Sequence, residues 1–270
     1  MSSFFRDKVV VITGGSEGIG RGLIDMLIPL GAKIATCGRN QDKLYALQVQ
    51  YSNHLLHTMV ADVSKWNDCE HFIKSTIETF GGIDILINNA GISHRGLMLD
   101  TDVSVIRKVM EVNFFGALHC TKLALPSIVE RKGVIVGISS IAGYRGLPGR
   151  SGYSASKFAM NGWLEALRTE LLDTGVHVMW ISPGFTRSNI RNVALNADGK
   201  PQGESPLNER DLMSAEVCAK HILDAVERKK RTLVLSTDGW KTLWMNKLFP
   251  AWADKLVHKF FYDKSGNLIK

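Results

Sequence analysis

The feature that most restricts the fold of this chain is a glycine turn set directly between a β-branched run and a helical one. Residues 8–13 lead straight into Thr13-Gly14-Gly15-Ser16-Glu17-Gly18-Ile19-Gly20, and a segment of helical period follows over 19–30. Glycines in such a turn let the backbone bend sharply and approach a pyrophosphate, which the amides and positive dipole end of the next helix then hold. The alternation continues along the chain. Residues 33–37, 54–60, 83–88, 133–139, 176–181 and 232–235 read as further strands, and 41–50, 65–80, 103–130, 154–173 and 214–228 have helical period. Such alternation makes right-handed crossovers, so the expected fold class is α/β, with about seven strands in a mostly parallel sheet and helices on both faces.

Composition agrees with a globular protein: of 270 residues, 45% are hydrophobic and 22% charged, and 25 Gly with 7 Pro exclude a collagen-like chain. No period of 20 to 50 residues and no low-complexity linker divides it, so residues 1–270 read as one domain. Cys37, Cys69, Cys120 and Cys218 lie far apart, without a C-x-x-C pair or a metal-ligand spacing, and read as reduced, buried thiols; no metal is expected. No stretch approaches roughly 18 to 20 uninterrupted apolar residues, and residues 1–7 lack the layout of a signal peptide, so the expected location is cytoplasmic.

The net charge of +7 is concentrated at one end. Residues 225–270 carry ten Lys/Arg against four acids, which accounts for +6 of it. A basic terminus suits a membrane surface, an acidic partner or solubility as well as nucleic acid. It matches no nucleic-acid reading motif, so no nucleic-acid partner is expected.

The second strand ends in Cys37-Gly38-Arg39-Asn40, about twenty residues after the glycines, where a carboxylate would bond the adenosine ribose of NAD. There is none. A guanidinium pairs well with a 2′-phosphate, so Arg39 favours NADP(H) over NAD(H), the bland alternative being a solvated Arg that opens a helix. Asp62-Val63 follows the third strand and Asn88-Asn89-Ala90-Gly91 the fourth, both at the strand ends where open α/β sheets bind ligands. Ser139-Ser140 ends the fifth strand, and Tyr153-Ser154-Ala155-Ser156-Lys157 opens a helix with Tyr and Lys on one face.

At these residues the chain resembles the short-chain dehydrogenase/reductase family, in its TGxxxGxG loop, its NNAG turn and its YxxxK pair, over roughly residues 8 to 237. The resemblance implies a single Rossmann-type doubly wound sheet and an NAD(P)-dependent oxidoreductase acting on CH-OH/C=O. It implies catalytic roles for Asn113, Ser140, Tyr153 and Lys157. The cofactor would be held by Gly14, Ser16, Glu17, Gly18, Ile19, Gly20, Arg39, Asp62, Val63, Asn89, Ala90 and Gly91, together with Tyr153, Lys157, Pro183, Gly184, Thr186 and Ser188. The adenine-side Asp falls on Asp62 and the Asn of the NNAG turn on Asn88. Two positions depart from the pattern: Glu17 stands where many NADP-preferring relatives carry Lys or Arg, and Ser188 where Thr is usual. An acid at 17 acts against a 2′-phosphate, while Ser188 keeps the hydroxyl.

A free Tyr near pKa 10 is a poor proton donor at neutral pH. The Lys157 ammonium is expected to stabilise phenolate at Tyr153, and Ser140 to donate to the oxygen on which charge develops. The resemblance implies that Asn113 holds a water linking Lys157 to solvent, and that hydride comes from the nicotinamide.

Substrate choice is expected to lie in loops 93–100, 141–152 and 189–211, the last a substrate lid. Residues 143–148 should line the site with apolar surface and one cation, Arg145. In the tail, 239–270, Trp240, Trp244, Leu248, Trp252, Leu256 and Phe260 recur at four-residue spacing among lysines, with Pro250 splitting two short helices. This stripe suits either an interfacial amphipathic helix in peripheral contact with a membrane or packing against the domain itself or across a dimer. Both readings point to NADPH-dependent reduction of a hydrophobic, lipid-like or steroid-like carbonyl. The alternatives are 3-oxoacyl reduction on a carrier-protein or CoA thioester and a non-catalytic nucleotide-binding scaffold. Family resemblance implies a homodimer or homotetramer through helices 103–130 and 154–173.

Overall fold

The computed structural model describes residues 3–205, 207–208 and 211–269; of the predicted lid and tail, Pro206, Glu209, Arg210 and Lys270 lie outside the described residues. Among these residues seven strands, β1 (Val9–Thr13), β2 (Lys33–Gly38), β3 (Leu56–Val60), β4 (Ile85–Asn88), β5 (Val134–Ile138), β6 (His177–Ser182) and β7 (Thr232–Val234), form one sheet ordered β3-β2-β1-β4-β5-β6-β7. Every pairing is parallel. The order reverses between β1 and β4, which opens a crevice at the C-terminal ends of these two strands.

Alternate strand residues supply two cores. Val11, Ala35, Leu86, Ile135 and Val178 face α3 (Trp66–Phe80), α4 (Val103–Met110), α5 (Gly116–Glu130) and α6 (Ser151–Glu170). Val10, Ile12, Ile34, Ile85 and Ile87 face α1 (Gly18–Leu27), α2 (Gln41–Gln50) and α7 (Ala215–Glu227) on the other side. Because strands buried on both faces read as near-continuous Val/Ile/Leu runs, the doubly wound architecture was visible in the sequence.

Three boundaries differ from the sequence pattern. The first helix gives way to a 3-10 turn at Ile28–Leu30, where Pro29 and a left-handed Gly31 (φ 78°) end it. The long helix expected over 103–130 is interrupted by a π-helical turn at Glu111–Phe115. The helix carrying Tyr153 starts at Ser151 and stops at Glu170. The run Val103–Glu130 is long and apolar enough by composition to cross a membrane. Here its buried residues, Val105, Val109, Cys120, Ala124 and Ile128, belong to the core.

Asp84 clamps the N-terminal end of the sheet. Its Oδ2 accepts from Val9 N at 2.9 Å and Arg131 Nη1 at 3.2 Å, and its Oδ1 from Lys8 Nζ at 3.2 Å. Removing this 7% exposed carboxylate leaves the Val9 amide without its side-chain acceptor and Arg131 without its counter-charge. Asp84→Ala is expected to cost ~3 kcal/mol in denaturant-unfolding free energy. A loss below ~1 kcal/mol would show that the clamp is not needed.

Candidate active site

The glycine turn is built by close approach between β1, α1 and the segment after β4. Gly14 has φ 69°, a conformation that glycine adopts without a Cβ clash. Asn89 Nδ2 donates to Thr13 O at 2.9 Å and to Gly14 O at 3.0 Å, while Thr13 Oγ1 accepts from the Asn89 and Ala90 amides, both at 3.0 Å. Beneath this brace, a Cβ on Gly20 would stand 2.4 Å from Gly14 O and 2.6 Å from Asn89 Nδ2, so only glycine fits. The N-cap of α1, Glu17, makes no side-chain cap. First-turn amides of α1 are therefore left without a side-chain acceptor, the arrangement that accepts a phosphate.

One cleft runs from this turn to the end of β6. It is lined by Gly14, Ser16, Glu17, Gly18 and Ile19, then Arg39, Asp62 and Val63 on one flank, and Asn89, Ala90 and Gly91 at the centre. Ser140, Tyr153 and Lys157 follow, with Pro183, Gly184, Thr186 and Ser188 opposite. Of the predicted set, Gly20 and Asn113 lie behind the wall, and Asn88 turns into the core, where Nδ2 donates to Thr121 Oγ1 at 2.9 Å. Ser139 Oγ is buried in this cleft without a hydrogen-bond partner among the described residues. The bare glycine turn, the uncapped α1 and this orphaned hydroxyl fit a dinucleotide.

At the flank, Glu17 is not the unopposed acid that the sequence suggested. Lys43, in the first turn of α2, reaches its Oε2 at 2.6 Å. Asn40 starts α2 by accepting from the Lys43 amide at 2.9 Å, which places Arg39 and Lys43 at the same corner. Lys43 was legible only as a helix residue. Asp62 turns the chain after β3, its Oδ1 accepting from Ser64 N at 3.0 Å and Oγ at 2.8 Å.

At the other end, Asn113 sits in the π-helical turn and is fully buried. Its Oδ1 accepts from Ile92 N at 2.8 Å, and its Nδ2 donates to Ile92 O and Ser156 Oγ, both at 2.9 Å. Asn113 thus ties the segment after β4 to α6, one residue from Lys157. Lys157 is buried, donates from Nζ to Ile138 O at 2.8 Å and lies 5.7 Å from the Tyr153 ring centre. Desolvation lowers its pKa to about 8, so it stays largely charged at neutral pH. Burial raises the Tyr153 pKa, opposed by its hydrogen bond with Ser140 and then by the charges of Arg150 and Arg191. The expectation that Lys157 governs this phenol therefore omitted two guanidinium groups.

The cation predicted beside Ser140 also differs. Arg145 donates to Asn246 Oδ1 at 2.8 Å and Asp254 Oδ1 at 2.5 Å, anchoring the tail helices α8 (Thr237–Leu248) and α9 (Pro250–Phe261). Within loop 141–152 the cation that lines the main cleft is Arg150. Loop 189–211 contributes Asn189, Ile190, Arg191, Val193 and Leu207 to the cleft and is pinned by Leu195, whose N donates to Ser93 O and whose O accepts from Arg95 N. In the tail, Phe261 reaches the cleft, whereas Trp240, Trp244, Leu248, Trp252, Leu256 and Phe260 remain exposed.

Comparison with known proteins places this architecture. Residues 8–198 match the family model for short chain dehydrogenases. The chain belongs to the short-chain dehydrogenase/reductase family. It is 40% identical over 241 residues to Dehydrogenase/reductase SDR family member 7B of Mus musculus, covering 87% of this chain and 75% of that protein. Dehydrogenase/reductase SDR family protein 7-like of Anopheles gambiae is 35% identical over 253 residues, with 90% and 80% covered. Among solved structures, a short chain dehydrogenase/reductase from Burkholderia phymatum in complex with NAD superposes with a TM-score of 0.81 at 22% identity, over 93% of this chain and 96% of that one. Levodione reductase gives 0.75 at 26%, over 85% and 96%. This short-chain dehydrogenase/reductase is accordingly an NAD(P)-dependent oxidoreductase with a nicotinamide-cofactor fold.

Because Lys157 titrates near 8 when folded and near 10.5 when unfolded, the unfolded chain binds more protons between these values. Its contribution to stability therefore rises with pH across that window. The difference in unfolding free energy between wild type and Lys157→Met is expected to grow in favour of wild type from pH 8 to 10.5. A flat difference in denaturant titrations would show that the ammonium is not desolvated.

Proposed function

We propose that this short-chain dehydrogenase/reductase reduces the carbonyl of a hydrophobic, lipid-like or steroid-like substrate with NADPH. The observation that carries the reading is the convergence of the Tyr153 phenol, the Ser140 hydroxyl and the Lys157 ammonium in the cleft that the glycine turn lines. When bound, the dinucleotide supplies hydride at its nicotinamide. Gly14, Ser16, Gly18 and Ile19, with the amides of α1, would hold its phosphates, and Pro183, Gly184, Thr186 and Ser188 its nicotinamide end.

Tyr153 donates its phenolic proton to the substrate oxygen as negative charge develops there. Ser140, which lines the cleft beside Tyr153, orients the same oxygen with a dipole that needs little reorganisation. Lys157 stabilises the phenolate that results, and Asn113 holds the backbone of Ile92 and the α6 face against which Lys157 is set. The cofactor preference rests on Arg39 with Lys43. Together they offer positive charge to a 2′-phosphate, and Lys43 offsets the Glu17 carboxylate that would otherwise repel it.

Loop 189–211 serves as the roof over the substrate, supported by its residues in the cleft and its backbone bonds to residues 93–95. The exposed stripes on α8 and α9, set among Lys241, Lys247, Lys255 and Lys259, support peripheral contact with an anionic membrane from which an apolar substrate can enter. Exposed Phe115 and Phe158, beside α5 and on α6, support association into a homodimer or homotetramer.

Two experiments test this. With a panel of short, long-chain and polycyclic ketones, NADPH oxidation should exceed NADH oxidation and increase with apolar size. Tyr153→Phe should lower kcat at least ~100-fold while keeping NADPH affinity, and Arg39→Ala should raise the KM for NADPH at least ~5-fold with little effect on NADH. An active Tyr153→Phe removes the assigned acid. In flotation assays, the full chain should bind phosphatidylserine-containing vesicles, and Trp244→Ser with Trp252→Ser should release it; a wild-type protein that never floats excludes the membrane contact.

A further inference from the structure

Arg150 precedes α6, three residues before Tyr153, and its side chain lines the cleft with Ser93, Leu147 and Tyr153. A guanidinium has five N–H donors. Among the described residues its side chain has one hydrogen-bond partner, Ser93 Oγ, to which Nη1 donates at 3.2 Å. No carboxylate pairs with it there. Burial, and after it the like charges of Arg95 and Arg191, lower its pKa, opposed by the Tyr153 phenol. Arg191 is 7% exposed and also lines the cleft, with Nη2 donating to Thr186 O at 2.8 Å.

His94 completes the surroundings without supplying negative charge. It is fully buried, neither ring nitrogen has a partner among the described residues, and burial, then the Arg150 charge, lowers its pKa to about 4. It is neutral at physiological pH. Arg150 is half-buried, and with no carboxylate beside it among the described residues its charge is costly unless an anion joins it. The cofactor phosphates do not meet this need, because the glycine turn and Arg39 lie on the β1–β2 side, whereas Arg150 stands between the segment after β4 and α6.

We infer that Arg150, with Ser93 and Arg191, forms an anion subsite beside the reacting carbonyl, so that the substrate is an amphiphile bearing a phosphate or carboxylate group. A planar guanidinium meets either group through two parallel N–H donors, and Leu147, Val193 and Phe261 offer apolar surface in the same cleft. The inference deepens the carbonyl-reductase reading and rests on it for the position of the reacting atom. A different role for Arg150, stabilising phenolate at Tyr153 alone, would leave neutral and anionic compounds equally affected.

The test is calorimetric titration of the NADPH-loaded protein with octyl phosphate, octanoate and octanol. Either anion should bind at least ~10-fold more tightly than octanol, and the stronger of the two identifies the anionic group. Arg150→Gln should weaken that anion at least ~10-fold and octanol less than ~2-fold, and Arg150→Lys should restore most of the loss. Equal affinities for all three probes, or an Arg150→Gln variant that weakens all three alike, would overturn the subsite. If neutral ketones are still turned over with NADPH in that case, the reductase reading stands without it. Anion-selective binding to a protein that does not bind NADPH supports the subsite and removes the reductase reading instead.

Discussion

The cleft depends on one close approach, that of the turn after β1 to the segment after β4. Asn89 bridges the carbonyls of Thr13 and Gly14, and the hydroxyl of Thr13 returns two bonds to the Asn89 and Ala90 amides. No side chain can stand between them, which is why Gly20 occupies the position beneath. Parallel strands bring their C-terminal ends to one edge, and the reversal of order between β1 and β4 leaves that edge open. The brace sets how wide the opening is. Glycine surface and the uncapped amides of α1 line one side of it, and the phenol of Tyr153 stands at the far end.

Charge in the cleft is organised around deficits of acid. Lys43 offsets Glu17 at the flank, where Arg39 adds positive charge that no acid pairs with among the described residues. Near Tyr153 the guanidinium groups of Arg150 and Arg191 oppose the effect of burial on the phenol, and the buried Lys157 ammonium stands beside its ring. Desolvation makes each of these groups respond strongly to a bound anion, because little water intervenes to screen it. Cofactor phosphates and an anionic substrate group would each relieve part of this imbalance, at separate ends of one crevice.

The tail is fixed from inside and apolar outside. Arg145 holds Asn246 of α8 and Asp254 of α9, Ala253 is buried and Phe261 enters the cleft, so the end of α9 is part of the site wall. Their outward faces keep the Trp and Leu stripes exposed. Packing against the protein's own domain therefore explains one face of the tail only. The outer face keeps these apolar side chains exposed among lysines.

Much of this was legible in one dimension. Short β-branched runs alternating with helical segments, the glycine turn and the spacing of Asn113, Ser140, Tyr153 and Lys157 pointed to the parallel sheet and the family, because strand burial and phosphate approach impose local residue types. Pro250 likewise marked the split between α8 and α9. Local pattern does not encode which distant charges meet. Only the tertiary structure decided that Lys43 reaches Glu17, that Arg145 leaves the cleft for the tail, and that Arg150 takes its place beside Tyr153. The π-helical turn at Asn113 belongs to the same group, since its wider winding comes with side-chain bonds to Ile92 and Ser156, which are remote in the chain. The sequence alone determined which chemistry the chain carries, through short-range backbone requirements; the fold decided how the charges are partnered, because long side chains choose partners across space.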